Sequence, residues 1–397
     1  MAVKTVFKKI FSIFLGIVIN AFLAFYLSII NFKFVSILAL FLLFILYSSL
    51  ILFLVLWNIK KSKLVYLLLI VPAIYIITIA VLIGWDMYDG YVRRIPRMDE
   101  RHSYDIYNYE PFYKNNVLAR LDGESNLKIA ENLPVLDGAT AFYPVYASFA
   151  QAVYPEGEYS LYKLSNSIVL CSRTPNAYNN LLERKADIIF CLEPSAAQMG
   201  QFNEKGLNLK LVAIGREAFV FFVNKENSVN NLTIQDVQGI YSGKIRNWRR
   251  VNGANQSIRA YQRPENSGSQ TILEKIMGDI PVKKPKRETI KGEMLQIINA
   301  VAAYRNFKNA IGYSFLYYST EMVQNNQIKI LSINNIYPSR ETIQDASYPF
   351  SQNIYAIYID DDNKNENIEP FIEWILSGQG QELVSKAGYT GVSHRVK

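Results

Sequence analysis

Arg263 stands four residues ahead of Ser267-Gly268-Ser269, so one turn gathers a guanidinium, two hydroxyls and a glycine. Such a set suits an oxyanion. A guanidinium brings full charge and a planar fork of donors. A glycine admits an oxygen to the backbone, and the first turn of a helix exposes N–H groups that have no partner within the helix. Ile272, Leu273, Ile276 and Met277 share one side of the next ten residues and predict an amphipathic helix opening at that turn. By itself a Ser-Gly-Ser turn is equally well explained as an ordinary helix cap, so its meaning depends on what the chain sets opposite it.

Three further stretches offer counterparts. In Leu136-Asp137-Gly138-Ala139-Thr140-Ala141 an apolar run enters a glycine turn, with a hydroxyl at the mouth of a helix whose Val145, Phe149, Ala152 and Val153 share a face. In Cys171-Ser172-Arg173-Thr174-Pro175, Thr174 is a natural N-cap and Pro175 a natural first helical residue. Glu193-Pro194-Ser195 comes directly after a third apolar run, 188–192. Each alone is a plain cap. Several of them along the C-terminal edge of one sheet, together with Arg263, point to a site, because open α/β sheets bind ligands there.

The elements that must position these residues alternate. Strands are expected over 133–136, 167–171, 188–192, 209–214, 218–223, 258–261, 310–315 and 354–359. Helices are expected over 145–153, 178–184, 234–241, 271–278, 292–304 and 370–376. This order predicts βαβ units and a mainly parallel sheet, in two α/β sets joined by crossing segments with a ligand cleft between them.

Ahead of these elements, residues 10–30, 35–57 and 64–85 each approach the roughly 20 apolar residues that cross a bilayer. Lys4, Lys8 and Lys9 precede the first and Lys60, Lys61 and Lys63 separate the last two, which predicts a cytoplasmic N-terminus and an outer location for everything after residue 85. The organisation expected is a three-helix transmembrane anchor over 1–85, a juxtamembrane linker over 86–132, and a two-lobed domain over 133–397. The first lobe would hold about 133–217 and 350–397, the second 218–349.

The formal charge of +8 does not mark a nucleic-acid partner. Residues 1–100 hold ten Lys or Arg against four Asp or Glu, and the remainder is nearly balanced at 32 against 30. The basic run Lys283-Lys284-Pro285-Lys286-Arg287 lacks interleaved aromatics. Two cysteines, Cys171 and Cys191, form no metal pattern, and His102 and His394 lie far from the motifs. A zinc site and a histidine-dependent triad are therefore excluded as readings, and Ser267 lacks a base beside it.

The outer part resembles the substrate-binding proteins of phosphate ABC transporters, which have the type II periplasmic-binding-protein fold. The resemblance covers about 133–397 and rests on Asp137-Gly138-Ala139-Thr140, on Ile240-Tyr241-Ser242-Gly243-Lys244-Ile245-Arg246-Asn247-Trp248, on Arg263 with Ser267-Gly268-Ser269, on Ala310-Ile311-Gly312-Tyr313, and on Leu376-Ser377-Gly378-Gln379-Gly380. It implies an α/β fold of two lobes closing on phosphate or a similar small oxyanion, no enzyme activity, no cofactor and no metal. It also implies permease subunits of an ABC importer as partners, beside the lipid bilayer of the anchor, and a multi-pass protein whose C-terminal domain is extracytoplasmic. Carried over by position, Thr140, the backbone N–H of Ala141 and Thr174 would bind the anion from one lobe, and Arg263, Ser267, Gly268 and Ser269 from the other.

The family also places an aspartate after the strand that 188–192 resembles, where it accepts a hydrogen bond from protonated phosphate. Here that position is Leu192, with Glu193 beside it. Three possibilities remain open: Glu193 reaches the ligand, Asp137 substitutes, or the ligand is another anion. A tethered anion sensor that reports to partners, rather than feeding a permease, is the alternative reading motivated by the three apolar segments.

Overall fold

The computed structural model describes residues 106–392 apart from 162–166, 286–289, 293, 303–307 and 324, together with Gly84. The chain divides into two units, Met1–Ile95 and Pro96–Lys397, and the elements given below belong to the second. The three apolar segments expected to span a membrane lie outside the described residues. Among the described residues no helix is long and apolar enough to cross a membrane.

In chain order the elements are β1 (Leu136–Gly138), α1 (Tyr143–Val153), α2 (Thr174–Leu182), β2 (Ile188–Cys191), α3 (Ala196–Glu204), β3 (Leu209–Asn224), β4 (Asn231–Leu232) and α4 (Ile234–Tyr241). Next come β5 (Arg259–Ala260), α5 (Gly268–Met277), α6 (Met294–Ala302), β6 (Ala310–Phe315), β7 (Ile328–Ile330), β8 (Ser332–Ile333), α7 (Arg340–Gln344) and β9 (Ser351–Ile359). The chain ends in α8 (Ile368–Leu376), α9 (Gly378–Lys386) and β10 (Thr390–Gly391).

β3 is the strand on which this architecture is strung. From Leu209 to Ala218 it pairs with β9, and from Phe219 to Val223 with β6, so it carries the chain from one half of the sheet to the other. The order along the sheet is β1-β2-β9-β3-β6-β5. The composition of β3 matches this double duty. Its first half is partly exposed, while Ala218, Phe219, Val220, Phe221, Phe222 and Val223 are fully buried, the unbroken apolar run of a strand covered on both faces. Two strands expected over 209–214 and 218–223 are thus one, bent at a bulge between Ala213 and Gly215.

The sheet is not mainly parallel. β1 with β2 and β5 with β6 run parallel, but β2–β9, β9–β3 and β3–β6 are all antiparallel. Alternating strands and helices predict direction only where a helix carries the chain back over its own sheet. β3 instead runs from the first half on into the second, and β9, formed after the chain has returned to the first half, lies between β2 and β3 and opposes both. The strand expected over 167–171 is reduced to a bridge between Leu136 and Val169.

Aromatic rings fill the junction. Phe142 of the first lobe meets Phe315 of the second at 5.5 Å between centroids, and Phe315 meets Phe219 at 5.9 Å. Tyr389 contacts both Phe142, at 6.3 Å, and Tyr317, at 4.7 Å. Ahead of β1, residues 106–132 have little regular structure yet are bound to the first lobe. Asn116 Nδ2 and Phe112 N donate to Gln151 Oε1 of α1 at 2.6 and 3.1 Å, Leu161 N donates to Glu110 Oε1 at 3.1 Å, and Lys386 of α9 pairs with Asp122 at 2.5 Å.

One ionisable group sits where β3 changes partners. Glu217 is 3% exposed and accepts from the N–H of Ala218 at 2.8 Å and of Tyr317 at 3.3 Å. Burial pushes its pKa up to about 8, against the two backbone hydrogen bonds. The unfolded chain ionises this group near its ordinary value of about 4.3. Its contribution to stability is therefore fully present below that value and is lost as the pH rises through about 8. Wild-type protein should lose more thermal stability than Glu217→Gln between about pH 5 and pH 8 in melting experiments. Parallel pH profiles would mean that Glu217 ionises freely in the folded chain.

Candidate functional site

The site begins with a carboxylate that faces away from it. Asp137, at the end of β1, is 0% exposed and accepts from the N–H of Gly138 at 2.7 Å, the N–H of Ser172 at 2.8 Å, Asn180 Nδ2 at 2.7 Å and the Ser172 hydroxyl. Burial raises its pKa, and these hydrogen bonds work in the opposite direction. Ser172 lies two residues before α2 and Asn180 within it, whereas Asp137 lies three residues before Thr140. One buried carboxylate thereby fixes the spacing of the chain entering α1 relative to the start of α2. With its acceptor positions filled, Asp137 does not line the cleft, which removes it as a stand-in for the family's ligand-binding aspartate.

A cleft of about 360 Å³ opens beside this brace. Thr140, Arg173, Thr174 and Asn176 line it from the first lobe, and Arg263, Ser267, Gly268 and Ser269 from the second. Neither α2 nor α5 has a side-chain cap, nor does the short turn Thr140–Phe142 that leads into α1. By contrast α3, α4 and α7 are closed by capping boxes, from Ser195, Thr233 and Ser339. α8 and α9 also lack side-chain caps, so an uncapped start alone does not mark the site. The stronger sign is Ser267, which is 4% exposed and whose hydroxyl has no hydrogen-bond partner among the described residues. A buried hydroxyl without a partner costs roughly 1–3 kcal/mol, and a ligand oxygen in the cleft would offset that.

Arg263 is held on a frame. Its N–H donates to Tyr313 Oη at 2.8 Å and to Gln270 Oε1 at 3.1 Å, Tyr313 Oη donates to Gln270 Oε1 at 2.5 Å, and Arg263 Nη1 donates to Lys291 O at 3.4 Å. Burial raises the Tyr313 pKa, so its hydroxyl stays protonated as a donor. Gly268 matters for approach. A Cβ at that position would stand 3.0 Å from Thr174 Oγ1 on the other lobe, so a side chain there would hold the helix start away from Thr174.

Several expected residues fall differently. Glu193 does not line the cleft. Its carboxylate pairs with Lys275 of α5 and accepts from Tyr355 Oη at 3.1 Å, in a separate recess that Arg216 also lines. The Lys275 hydrogen bond holds that carboxyl below its ordinary pKa. Leu192, just past the end of β2, lines both the cleft and this recess, whereas Glu193 lines the recess alone. Tyr178 Oη secures this arrangement by donating to Leu192 O at 2.7 Å. Ala141 is 1% exposed and does not line the cleft, although its neighbours Ala139, Thr140 and Phe142 do.

Arg173, Asn176, Glu265 and Ile106 line the cleft without having been expected there. Arg173 sits before α2 at φ 74°, a left-handed conformation unfavourable for a side chain. Such strain clusters at functional positions, but it leaves no mark on the sequence. Both cysteines are free and buried, and burial pushes the Cys171 thiol up to about 12. Neither is poised for reaction at neutral pH.

Two α/β lobes strung on a shared crossing strand, with a donor-lined cleft between them, define the type II PBP-like fold. The model of the PBP superfamily domain matches residues 133–379, and the chain belongs to that superfamily. It is 24% identical over 179 residues to the phosphate-binding protein PstS of Borreliella burgdorferi, over 44% of this chain and 63% of that protein. The chain thus spans less than two thirds of the length of this curated relative. Among solved structures it is similar to a putative phosphate ABC transporter substrate-binding protein with bound phosphate from Clostridium perfringens, with TM-score 0.50 and 22% identity, over 67% of this chain and 100% of that one. An ABC-type phosphate transport receptor from Vibrio cholerae gives TM-score 0.50 at 19% identity, over the same shares. At these identities the two structures support the fold alone.

Asp137→Ala tests the brace. It strands the buried Ser172 N–H and Asn180 amide, at roughly 1–3 kcal/mol for each group left without a partner. Chemical denaturation should show a loss of several kcal/mol; a loss under about 1 kcal/mol would mean that the helix starts are held by other contacts.

Proposed function

We propose that this protein captures phosphate or a similar small oxyanion between its two lobes, outside the cell membrane, and delivers it to the permease subunits of an ABC-type importer. The observation that carries this reading is the cleft itself. Arg263, Ser267 and Ser269 meet Thr140 and Thr174 across it, and the buried Ser267 hydroxyl lacks a partner among the described residues. Superfamily membership and the phosphate-binding names of the relatives support the same reading. The apolar segments 10–30, 35–57 and 64–85 support a multi-pass tether to the lipid bilayer in place of a freely diffusing domain.

Binding on this account combines two kinds of attraction. The uncapped N-termini of α2 and α5 direct backbone N–H groups and the positive ends of their dipoles into the cleft. Threonine and serine hydroxyls add neutral donors, and guanidinium groups add full charge in a place screened from solvent. Lobe closure then removes the anion from water, while the crossing strand β3 and the chain returning into β9 serve as the hinge. The ion pair of Glu193 with Lys275 and the hydrogen bond from Ser195 Oγ to Asn266 Oδ1, at 2.9 Å, join the lobes beside the cleft.

Calorimetry on the full chain in detergent checks the reading. Phosphate should bind with measurable heat, and Arg263→Ala should weaken it about 10- to 100-fold, the worth of a charge-assisted hydrogen bond, with little change in melting temperature. A folded chain that gives no heat with phosphate or sulfate would remove the proposal. Unchanged affinity in the variant would place the charge elsewhere.

A further inference from the structure

We propose that the preferred ligand is a phosphate monoester or phosphonate, an oxyanion carrying a small apolar substituent, and not the bare ion. This rests on the proposed anion binding and names the ligand class of the same cleft. The first observation is space. The lobes are already in contact at Ser195 and Asn266 and at Glu193 and Lys275, and Thr174 lies close enough to Gly268 that an added Cβ there would stand 3.0 Å from its hydroxyl. The volume of about 360 Å³ is therefore what remains beside two contacts between the lobes, not the gap of a molecule with its lobes apart. A bare tetrahedral anion is the size of two or three waters and takes roughly 60–90 Å³ even when each water is counted at its full share of liquid volume. Most of the cleft would be left unfilled.

The second observation is what lines that remainder. Phe142 and Phe315 lie against one another at 5.5 Å, Met294 Sδ accepts from the hydroxyl of Ser314 at 3.6 Å, next along the chain to Phe315, and Tyr318 stands three residues after Phe315. Phe142, Met294, Phe315 and Tyr318 all line the cleft, so part of its wall beside the donor cluster is largely apolar. Ile106 extends it. That residue belongs to the segment ahead of the matched superfamily residues 133–379, and the hydrogen bonds of Glu110, Phe112 and Asn116 to the first lobe hold the segment in place. An isoleucine brought from outside the matched domain to the wall of the cleft suits an organic group and has nothing to offer a bare anion.

The third observation is the balance of donors and acceptors. Among the described residues lining the cleft the only carboxylate is Glu265, which is exposed. Inorganic phosphate near neutral pH keeps at least one O–H, for which the cleft offers neutral hydroxyl oxygens as acceptors in place of a buried carboxylate. A monoester, with its second pKa near 6, presents a dianion whose three oxygens only accept, and a cluster rich in hydroxyls, guanidinium groups and helix N–H groups satisfies it fully.

Titration of the full chain at pH 7.5 with phenyl phosphate, methylphosphonate, inorganic phosphate and sulfate tests this. Phenyl phosphate should bind at least tenfold more tightly than inorganic phosphate, and Ile106→Asn should lower that ratio at least fivefold. Inorganic phosphate or sulfate binding as tightly as phenyl phosphate would overturn the proposal while leaving the anion-binding reading intact. So would an unchanged ratio in Ile106→Asn. A folded chain that binds none of the four probes would remove the underlying reading as well.

Discussion

Asp137 accepts hydrogen bonds from three residues in a place water does not reach, and the geometry of the first lobe's half of the cleft depends on them. A carboxylate loses much of its hydration there, a cost that only a full set of donors offsets. The donors come from the ends of separate pieces of chain, so satisfying the charge and aligning Thr140 with Thr174 are the same event. This is why Asp137, only three residues before Thr140, is absent from the surface of the cleft. It organises donors for an anion by being itself an anion already satisfied.

The second half of the cleft has a different foundation. Arg263 and the Ser-Gly-Ser turn are mounted on Tyr313 of β6 and Gln270 of α5, and β6 is paired to the fully buried half of β3. Because β3 runs through both lobes, the two halves share a strand and need no flexible linker. Rotation must then occur where β3 exchanges β9 for β6, beside the Glu217 carboxyl and the rings of Phe142, Phe315 and Tyr389. A junction of this kind resists random opening, since each ring pair contributes roughly 0.5–1.5 kcal/mol beyond its buried area. The ion pair of Glu193 with Lys275 adds little by comparison, because both side chains are nearly half exposed.

Some of this was legible in the sequence. The Arg263 stretch announces its chemistry because its donors are local, within one turn of chain, and Thr174-Pro175 does so for the same reason. Local apolar runs also located most strands and helices. Strand direction was not legible, since β3 and β9 owe theirs to the chain's crossing between lobes and not to any pattern of their own. Glu193 was misplaced because it lies past the end of β2, where the chain turns it to Lys275 and Tyr355 and no strand period fixes its direction. Arg173 and Ile106 reach the cleft through a strained φ and through a segment that precedes the superfamily match. No periodicity records either. The burial of Glu217 is likewise a property of the junction, invisible in the partly polar Gly215-Arg216-Glu217 around it.

The central claim is that an oxyanion sits between the uncapped starts of α2 and α5. A structure determined from the full chain with phosphate present at saturating concentration addresses it most directly. The account predicts a tetrahedral anion within hydrogen-bonding distance of Thr174 Oγ1, Ser267 Oγ and the Arg263 guanidinium. An anion bound instead in the recess of Glu193 and Lys275, or anywhere else on the surface with the cleft holding none, would contradict it.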